Sequence, residues 1–416
     1  MNTIPITLLQ NMMLAFCSSA PHLPIANAGG VIKFDHIDAN KLVEAQRAVM
    51  ACHASFDFYF HHTPSGVEQH QHAHCERSYP ITDLSALSFE HAEQVARDRI
   101  ETLFTTPISA FEYPLHRSEI FILPNNQVWL AFLANHLICD GYSAFAYLKQ
   151  VVDYYDKGHT PTNTQFEPVK LANQQAQYLT SNQYQKDKAF WLNHLATPVE
   201  FRLFSPTNPL KSKAIHLSLP RSQLTPAVEF ANQHELSLST LMLTLWIRQL
   251  NQDFPLSNSN QLRVGLPVHG RKKSESNLIA FMANMLVHEF SLPDELDLAA
   301  QAQQVSTQLK QAYRHKKLPP ELLYEDLKLP PHIPLSEFRF GYMELEQLSD
   351  TAGMPSSFSY ESHQHHSLPL QLNIINFHGV DQVDFLIEYN PHNLSEEDVV
   401  KHIQSLFDAI KNIANN

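Results

Sequence analysis

The stretch VWLAFLANHLICDGYS, residues 128–143, decides how the chain is read. Val128–His136 is apolar on both alternating sets of positions, as expected of a strand buried on both faces. The run breaks at Asp140-Gly141. A helix follows to about Asp156 with Leu148, Val151, Val152 and Tyr155 along one side, and Gly158 is placed to stop it. His136 therefore sits where a buried strand ends and a turn begins. An imidazole there can present a ring nitrogen to a cavity, and its unperturbed pKa suits proton transfer near neutral pH. Asp140, beyond the turn, is positioned to bind an arginine and lock the turn. Gly141 permits close backbone approach.

Working outward, the first third alternates strand and helix patterns. Val31–Phe34 reads as a strand, and a helix starting near Asp38 places Leu42, Ala45, Val49 and Cys52 on one face. Phe56, Phe58 and Phe60 alternate as in a half-buried strand, most simply its core face. The histidine-rich stretch from His61 to Cys75 reads as a surface loop. A polar segment, Lys157–Glu167, marks a boundary, and a helical bridge spans about Gln175–Leu195. In the second half Leu241–Leu250 reads as helix, Arg263–Val268 as strand and Leu278–Phe290 as a mixed apolar segment. Val383, Phe385, Ile387 and Tyr389 then alternate, and Ser395 with Asp398 resembles a capping pair before a final helix.

The 416 residues are 44% hydrophobic and 17% charged, which fits two packed domains. Ten glycines against 26 prolines, with neither GxGxxG nor GxxxxGK[ST], argue against a nucleotide-binding architecture. A formal charge of −13 disfavours nucleic acid and anionic membrane as partners. Cys17, Cys52, Cys75 and Cys139 form no CxxC pair, so no disulfide framework or zinc knuckle is expected. The first twenty residues lack Lys and Arg, and no apolar run approaches the ~18 residues of a membrane span. A cytoplasmic setting is the expectation.

The segment Asn135-His136-Leu137-Ile138-Cys139-Asp140-Gly141 is one residue from HHxxxDG. It resembles the motif of the nonribosomal-peptide condensation-domain superfamily, whose fold is similar to chloramphenicol acetyltransferase. Asn135 stands where that family has its first histidine, and His136 is the second, active one. Further segments resemble the family in order: Ile6–Gln10, His53–Phe60 (with Asp57 where an arginine is expected), Thr82–Ser85 and Phe190-Trp191-Leu192. Val264–Arg271 resembles GxPxxGR, and Ile279–Asn284 resembles IGxFVN with Ala280 and Met282 departing. His315–Glu321 and Glu388-Tyr389-Asn390 complete the series.

The resemblance implies an α/β fold of two chloramphenicol-acetyltransferase-like subdomains in a V-shaped pseudo-dimer with a central tunnel. The expected divisions are 1–165, a bridge over 166–200, and 201–416. It implies an acyltransferase with no permanently bound cofactor, whose donor arrives on the phosphopantetheine of an acyl or peptidyl carrier protein, or on CoA. The acceptor is a small amine or alcohol, and no carrier, adenylation or thioesterase region is recognised beside it. Around Tyr178–Ser181 and Phe190-Trp191 the chain is similar to stand-alone siderophore amide synthases. His136 is the expected catalytic base. Asn135, Asp140, Gly141 and Arg271 are expected to be structural, with Arg271 paired to Asp140.

Lys272 and Lys273, and Arg314, Lys316 and Lys317, are dense basic runs on an acidic protein and candidates for carrier docking. Cys139 is expected to be buried and inert. His61, His62, His70, His72, His74 and Cys75, with Glu68 and Glu76, read as solvated surface, as do His363, His365 and His366, and no metal is assigned. Two other functions fit the same residues: an ester-forming or CoA-dependent O-acyltransferase, and a silent scaffold that binds carrier proteins.

Overall fold

In a computed structural model of the chain, the described residues are 3–64, 66–72, 77–162, 164–198, 200–256, 261–345, 356–378 and 380–413. The first elements in chain order are α1 (Leu8–Ser19), β1 (Asn27–Asp35), α2 (Ala39–Met50), β2 (Phe58–Thr63), β3 (Gly66–Gln71) and β4 (Ile81–Asp83). Then come α3 (Phe89–Thr105), β5 (His116–Ile122), β6 (Gln127–Asn135), α4 (Gly141–Lys157), α5 (Pro168–Leu179), α6 (Asn182–His194), β7 (Lys213–Pro220) and α7 (Arg221–Gln233). The remainder are α8 (Leu238–Asp253), β8 (Gln261–Val268), β9 (Asn284–Ser291), α9 (Leu298–Arg314), β10 (Phe338–Leu345), β11 (Ser356–Tyr360), β12 (Leu370–Phe377), β13 (Gln382–Tyr389) and α10 (Glu396–Lys411).

These elements form two compact units that are not contiguous in sequence. The first comprises Met1–Ser181, His269–Ala283 and Gln347–His365; the second comprises Asn182–Val268, Asn284–Glu346 and His366–Asn416.

In the first unit the sheet order is β11-β1-β6-β5-β4. β6 is central and antiparallel to both β1 and β5, and every residue from Val128 to Asn135 is buried. That is why its sequence is apolar on both faces. Asp140 caps α4 by accepting from the Ser143 amide, and Gly158 ends the helix in the left-handed region at φ 66°. Leu148, Val151 and Val152 are fully buried on α4. Each such side chain contributes about 1.5–3 kcal/mol by leaving water. Tyr155 is only half-buried, and its hydroxyl accepts from the Asp38 amide at 2.9 Å.

His61–Gln71 is not a surface loop. β2 and β3 form a two-stranded antiparallel hairpin that pairs His61 with Glu68 and Tyr59 with His70. Counting histidine as polar hides the alternation, because imidazoles can be buried and stacked like small aromatics. Phe56 lies in a 3₁₀ turn, Ala54–Asp57, ahead of the strand, and Phe56, Phe58 and Phe60 are all buried. His74, Cys75 and Glu76 lie outside the described residues.

In the second unit the sheet order is β7-β13-β12-β10-β8-β9, with β10 parallel to β8 and β12. Val383, Phe385, Ile387 and Tyr389 of β13 are buried, matching their alternation. α10 opens on a capping box made by Ser395 and Asp398. Among the described residues, no helix is long and apolar enough to cross a membrane.

Candidate active site

His136 follows the last residue of β6, and the backbone there is held from both sides. The His136 amide donates to the Ala26 carbonyl at 2.7 Å, and the Asn135 amide to the Leu115 carbonyl at 2.8 Å. The imidazole is half-buried and meets the Phe281 ring edge-on, with centroids 4.8 Å apart. It is thus neither sealed in the core nor free on the surface.

Asn135 is fully buried and both ends of its amide are used. Its Nδ2 donates to the Ile108 carbonyl at 2.8 Å, and its Oδ1 accepts from the Leu137 amide at 2.9 Å, closing an Asx turn around His136. The Leu137 carbonyl in turn accepts from Gln10 Nε2 at 2.9 Å. The residue that departs from the family motif therefore shapes the turn that carries the imidazole.

Asp140 and Arg271 form a fully buried ion pair at 2.8 Å. The same carboxylate oxygen accepts from the Met282 amide at 3.0 Å and the Ala283 amide at 2.9 Å, while the other accepts from the Ser143 amide at 2.8 Å. Burial works against the charge on Asp140, but the Arg271 guanidinium and these donors outweigh it and hold its pKa below the ordinary carboxylate value. Arg271 also donates to Ser143 Oγ at 2.5 Å and to the Ala280 carbonyl at 2.8 Å. Both Asp140 oxygens are thus engaged, and together they tie the turn to Arg271, Met282, Ala283 and Ser143.

Two residues to which sequence reasoning gave no role complete this arrangement. Ser143 Oγ accepts from the Ala280 amide at 3.0 Å besides meeting Arg271. A Cβ at Gly270 would lie 2.3 Å from the Met282 carbonyl oxygen, so only glycine admits the close approach that brings Arg271 in. Ser143 lies in the opening stretch, three positions after Asp140 as an N-cap partner should; Gly270 stands in the GxPxxGR-like segment beside Arg271, but nothing local shows that it packs on Met282. Gly141 does not need to be glycine for that reason. A Cβ there meets only Tyr360 Cε1, at an ordinary 3.7 Å, and its carbonyl accepts from the Tyr360 hydroxyl at 2.8 Å.

Cys139 is fully buried, and that burial, reinforced by the Asp140 charge, pushes its thiol well above the ordinary range. The thiol is therefore held in its protonated form. Lys272 and Lys273 are exposed on the first unit; Arg314 and Lys317 are exposed and Lys316 half-buried on the second. His315 pairs with Asp187 at 2.7 Å and stacks on Phe190 at 4.0 Å, while Trp191 Nε1 donates to the His315 carbonyl. Asp57 forms an ion pair with Arg77. His363, His365 and His366 are all half-buried, not solvated.

A buried strand ends in an imidazole, and a carboxylate–guanidinium lock lies four residues on, at the positions of the motif that the sequence resembles. The condensation-domain family profile matches residues 1–416, and the chain belongs to that family. Condensation domains are acyltransferases that form amide bonds. The chain is 23% identical over 261 residues to one of the plipastatin synthase proteins of Bacillus subtilis (strain 168), covering 60% of this chain and 10% of that protein. It is 24% identical over 339 residues to a dimodular nonribosomal peptide synthase of the same strain, covering 77% and 14%. The chain thus spans only a small part of these curated relatives.

Among solved structures it resembles a variant of the starter condensation domain of rhizomide synthetase RzmA in complex with C8-CoA. The TM-score is 0.86 at 20% identity, covering all of this chain and 95% of that one. It also resembles the first condensation domain of the CDA synthetase, with a TM-score of 0.84 at 16% identity, covering 99% and 96%. The fold is the condensation-domain fold.

Proposed function

We propose that the chain is a stand-alone condensation enzyme that transfers an acyl group from the phosphopantetheine thioester of a carrier protein to a small amine, as in siderophore-type amide synthesis. The observation that carries this reading is the half-buried His136 imidazole on a turn pinned by Asn135 and by the Asp140–Arg271 pair. The amine nitrogen attacks the thioester carbonyl carbon, a C–N bond forms, and its proton passes to His136. The C–S bond then breaks, and the departing thiolate takes up a proton. General-base assistance of this kind contributes roughly 10²–10⁴-fold. A free alkylammonium titrates near ~10, so partial desolvation of the acceptor must favour its neutral form. The buried, protonated Cys139 favours direct transfer over an acyl-enzyme.

A second reading takes the donor as a CoA thioester. It is favoured by the fold neighbour seen with C8-CoA, and with C8-CoA and Leu-SNAC together. An alcohol acceptor would use the same imidazole.

Intact-mass analysis of carrier-bound donors mixed with candidate amines and alcohols, with CoA thioesters run in parallel, tests both readings. His136→Ala is expected to cut product formation by at least about a hundredfold while circular dichroism and Tm stay near wild type. Undiminished turnover in that variant would end the proposal. Absence of turnover in the wild type, with carrier protein still bound, would leave the scaffold reading standing.

A further inference from the structure

His61, Glu68 and His70 stand on one face of the β2–β3 hairpin. The register places His61 directly opposite Glu68 and His70 opposite Tyr59, and the pleat turns all four side chains the same way. One ligand-capable atom of each of the three lies within 4.8 Å of the others. His70 Nε2 is already 3.1 Å from Glu68 Oε2. Tyr59 stacks beside both rings, with centroids 6.0 Å from His61 and 5.6 Å from His70.

This is not a solvated histidine cluster. His70 is only 7% exposed, and Nδ1 of both His61 and His70 is buried with no hydrogen-bond partner. Buried ring nitrogens are normally paired, and no hydrogen bond at Nδ1 fixes either ring against turning toward a cation. Two imidazoles and a carboxylate form a borderline donor set that suits zinc and its first-row neighbours; calcium and magnesium select oxygen.

We propose that His61, Glu68 and His70 form a binding site for a divalent transition-metal cation of the zinc class, with water completing the coordination. At ligand distances of about 2.1 Å, tetrahedral donors lie about 3.4 Å apart. The His70–Glu68 pair meets that spacing already, and side-chain rotation brings in His61. The cation would bridge the two strands of a hairpin that forms a sheet of its own and, among the described residues, meets α1's lead-in through one β-bridge, from Ile4 to Gln69. Two-stranded sheets have marginal stability, so a cross-strand clip has a structural purpose.

The test is titration of the full chain, stripped with a chelator, with Zn²⁺ against a competing chromophoric chelator, repeated with Co²⁺ to read its visible absorption. One tight equivalent is expected, with a rise in Tm on Zn²⁺ addition. Glu68→Gln keeps the shape of a half-exposed side chain, and this change and His61→Ala are each expected to weaken binding by more than about a hundredfold, since even outer-sphere partners are worth 10–100-fold. The His363→Ala/His365→Ala variant is expected to bind like wild type. Affinity that survives both Glu68→Gln and His61→Ala means adventitious binding by surface histidines, and overturns the site. So does failure of the wild type to retain one equivalent of Zn²⁺ or Co²⁺.

Discussion

Arg271 Nη1 meets Asp140 Oδ2 at 2.8 Å, with the two side chains 1% and 0% exposed. Removing one partner of a buried pair leaves an uncompensated charge and costs about 3–5 kcal/mol. Arg271→Ala is therefore expected to lower the stability of the first unit by that amount in denaturant unfolding, and to lower activity with it. Replacing both partners by apolar side chains is expected to recover a large part of the loss.

Asn135→Ala strands the Ile108 carbonyl and the Leu137 amide in the interior. A loss of about 1–3 kcal/mol is expected, with a fall in kcat as the turn beneath His136 loosens. Asn135→His restores a ring donor at the position where the family motif has one, and is expected to lie between wild type and Asn135→Ala in both Tm and kcat.

Three buried histidines set an acid limit on stability. Burial lowers His53 to about 4, and His116 and His288 to about 3. Unfolded, each binds a proton below ~6.5. Their contribution is thus complete above that value and declines as pH falls toward the folded values, by up to about 1.4 kcal/mol per pH unit for each histidine. Asp140, held low, acts with the same sign in a lower range. Tm is expected to fall steadily between pH 7 and pH 5, and His116→Gln to flatten that slope. A Tm independent of pH across this window would contradict the assignment.

The two basic runs lie on different units and can be tested separately. If Lys272 and Lys273 dock the carrier, Lys272→Glu/Lys273→Glu is expected to raise the apparent KM for a carrier-bound donor. The KM for a small thioester analogue is expected to stay unchanged, and the difference to shrink at high salt. Arg314→Glu/Lys317→Glu makes the same test of the second run. Equal shifts for both donors would argue against docking at the altered run.

Local pattern carried much of the fold. The double-faced apolar run of β6, the Asp140 cap and Gly158 stop of α4, and the Ser395–Asp398 box of α10 each depend on residues a few positions apart, so a short window of sequence reveals them. The β2–β3 hairpin was lost because its alternating positions are histidines, whose burial depends on what stacks against them. Around His136, the residues inside the opening stretch were legible. Gly270 and Phe281 reach the turn from more than 130 positions away, and Tyr360 from beyond 200; no periodicity reports such meetings. The discontinuity of the two units is hidden for the same reason.

That discontinuity orders events during synthesis. The guanidinium that neutralises Asp140 is 131 residues downstream, and β11, which lies beside β1, is later still. A nascent chain that has only reached Ser181 already contains β6 and His136 but lacks their lock, with a carboxylate bound for the interior and nothing to meet it. Loop closure over such separations is slow. The first unit is therefore begun with β1 and β6 and completed only after residues 269–283 and 347–365 have been made, and a fragment cut at residue 181 is expected to misfold.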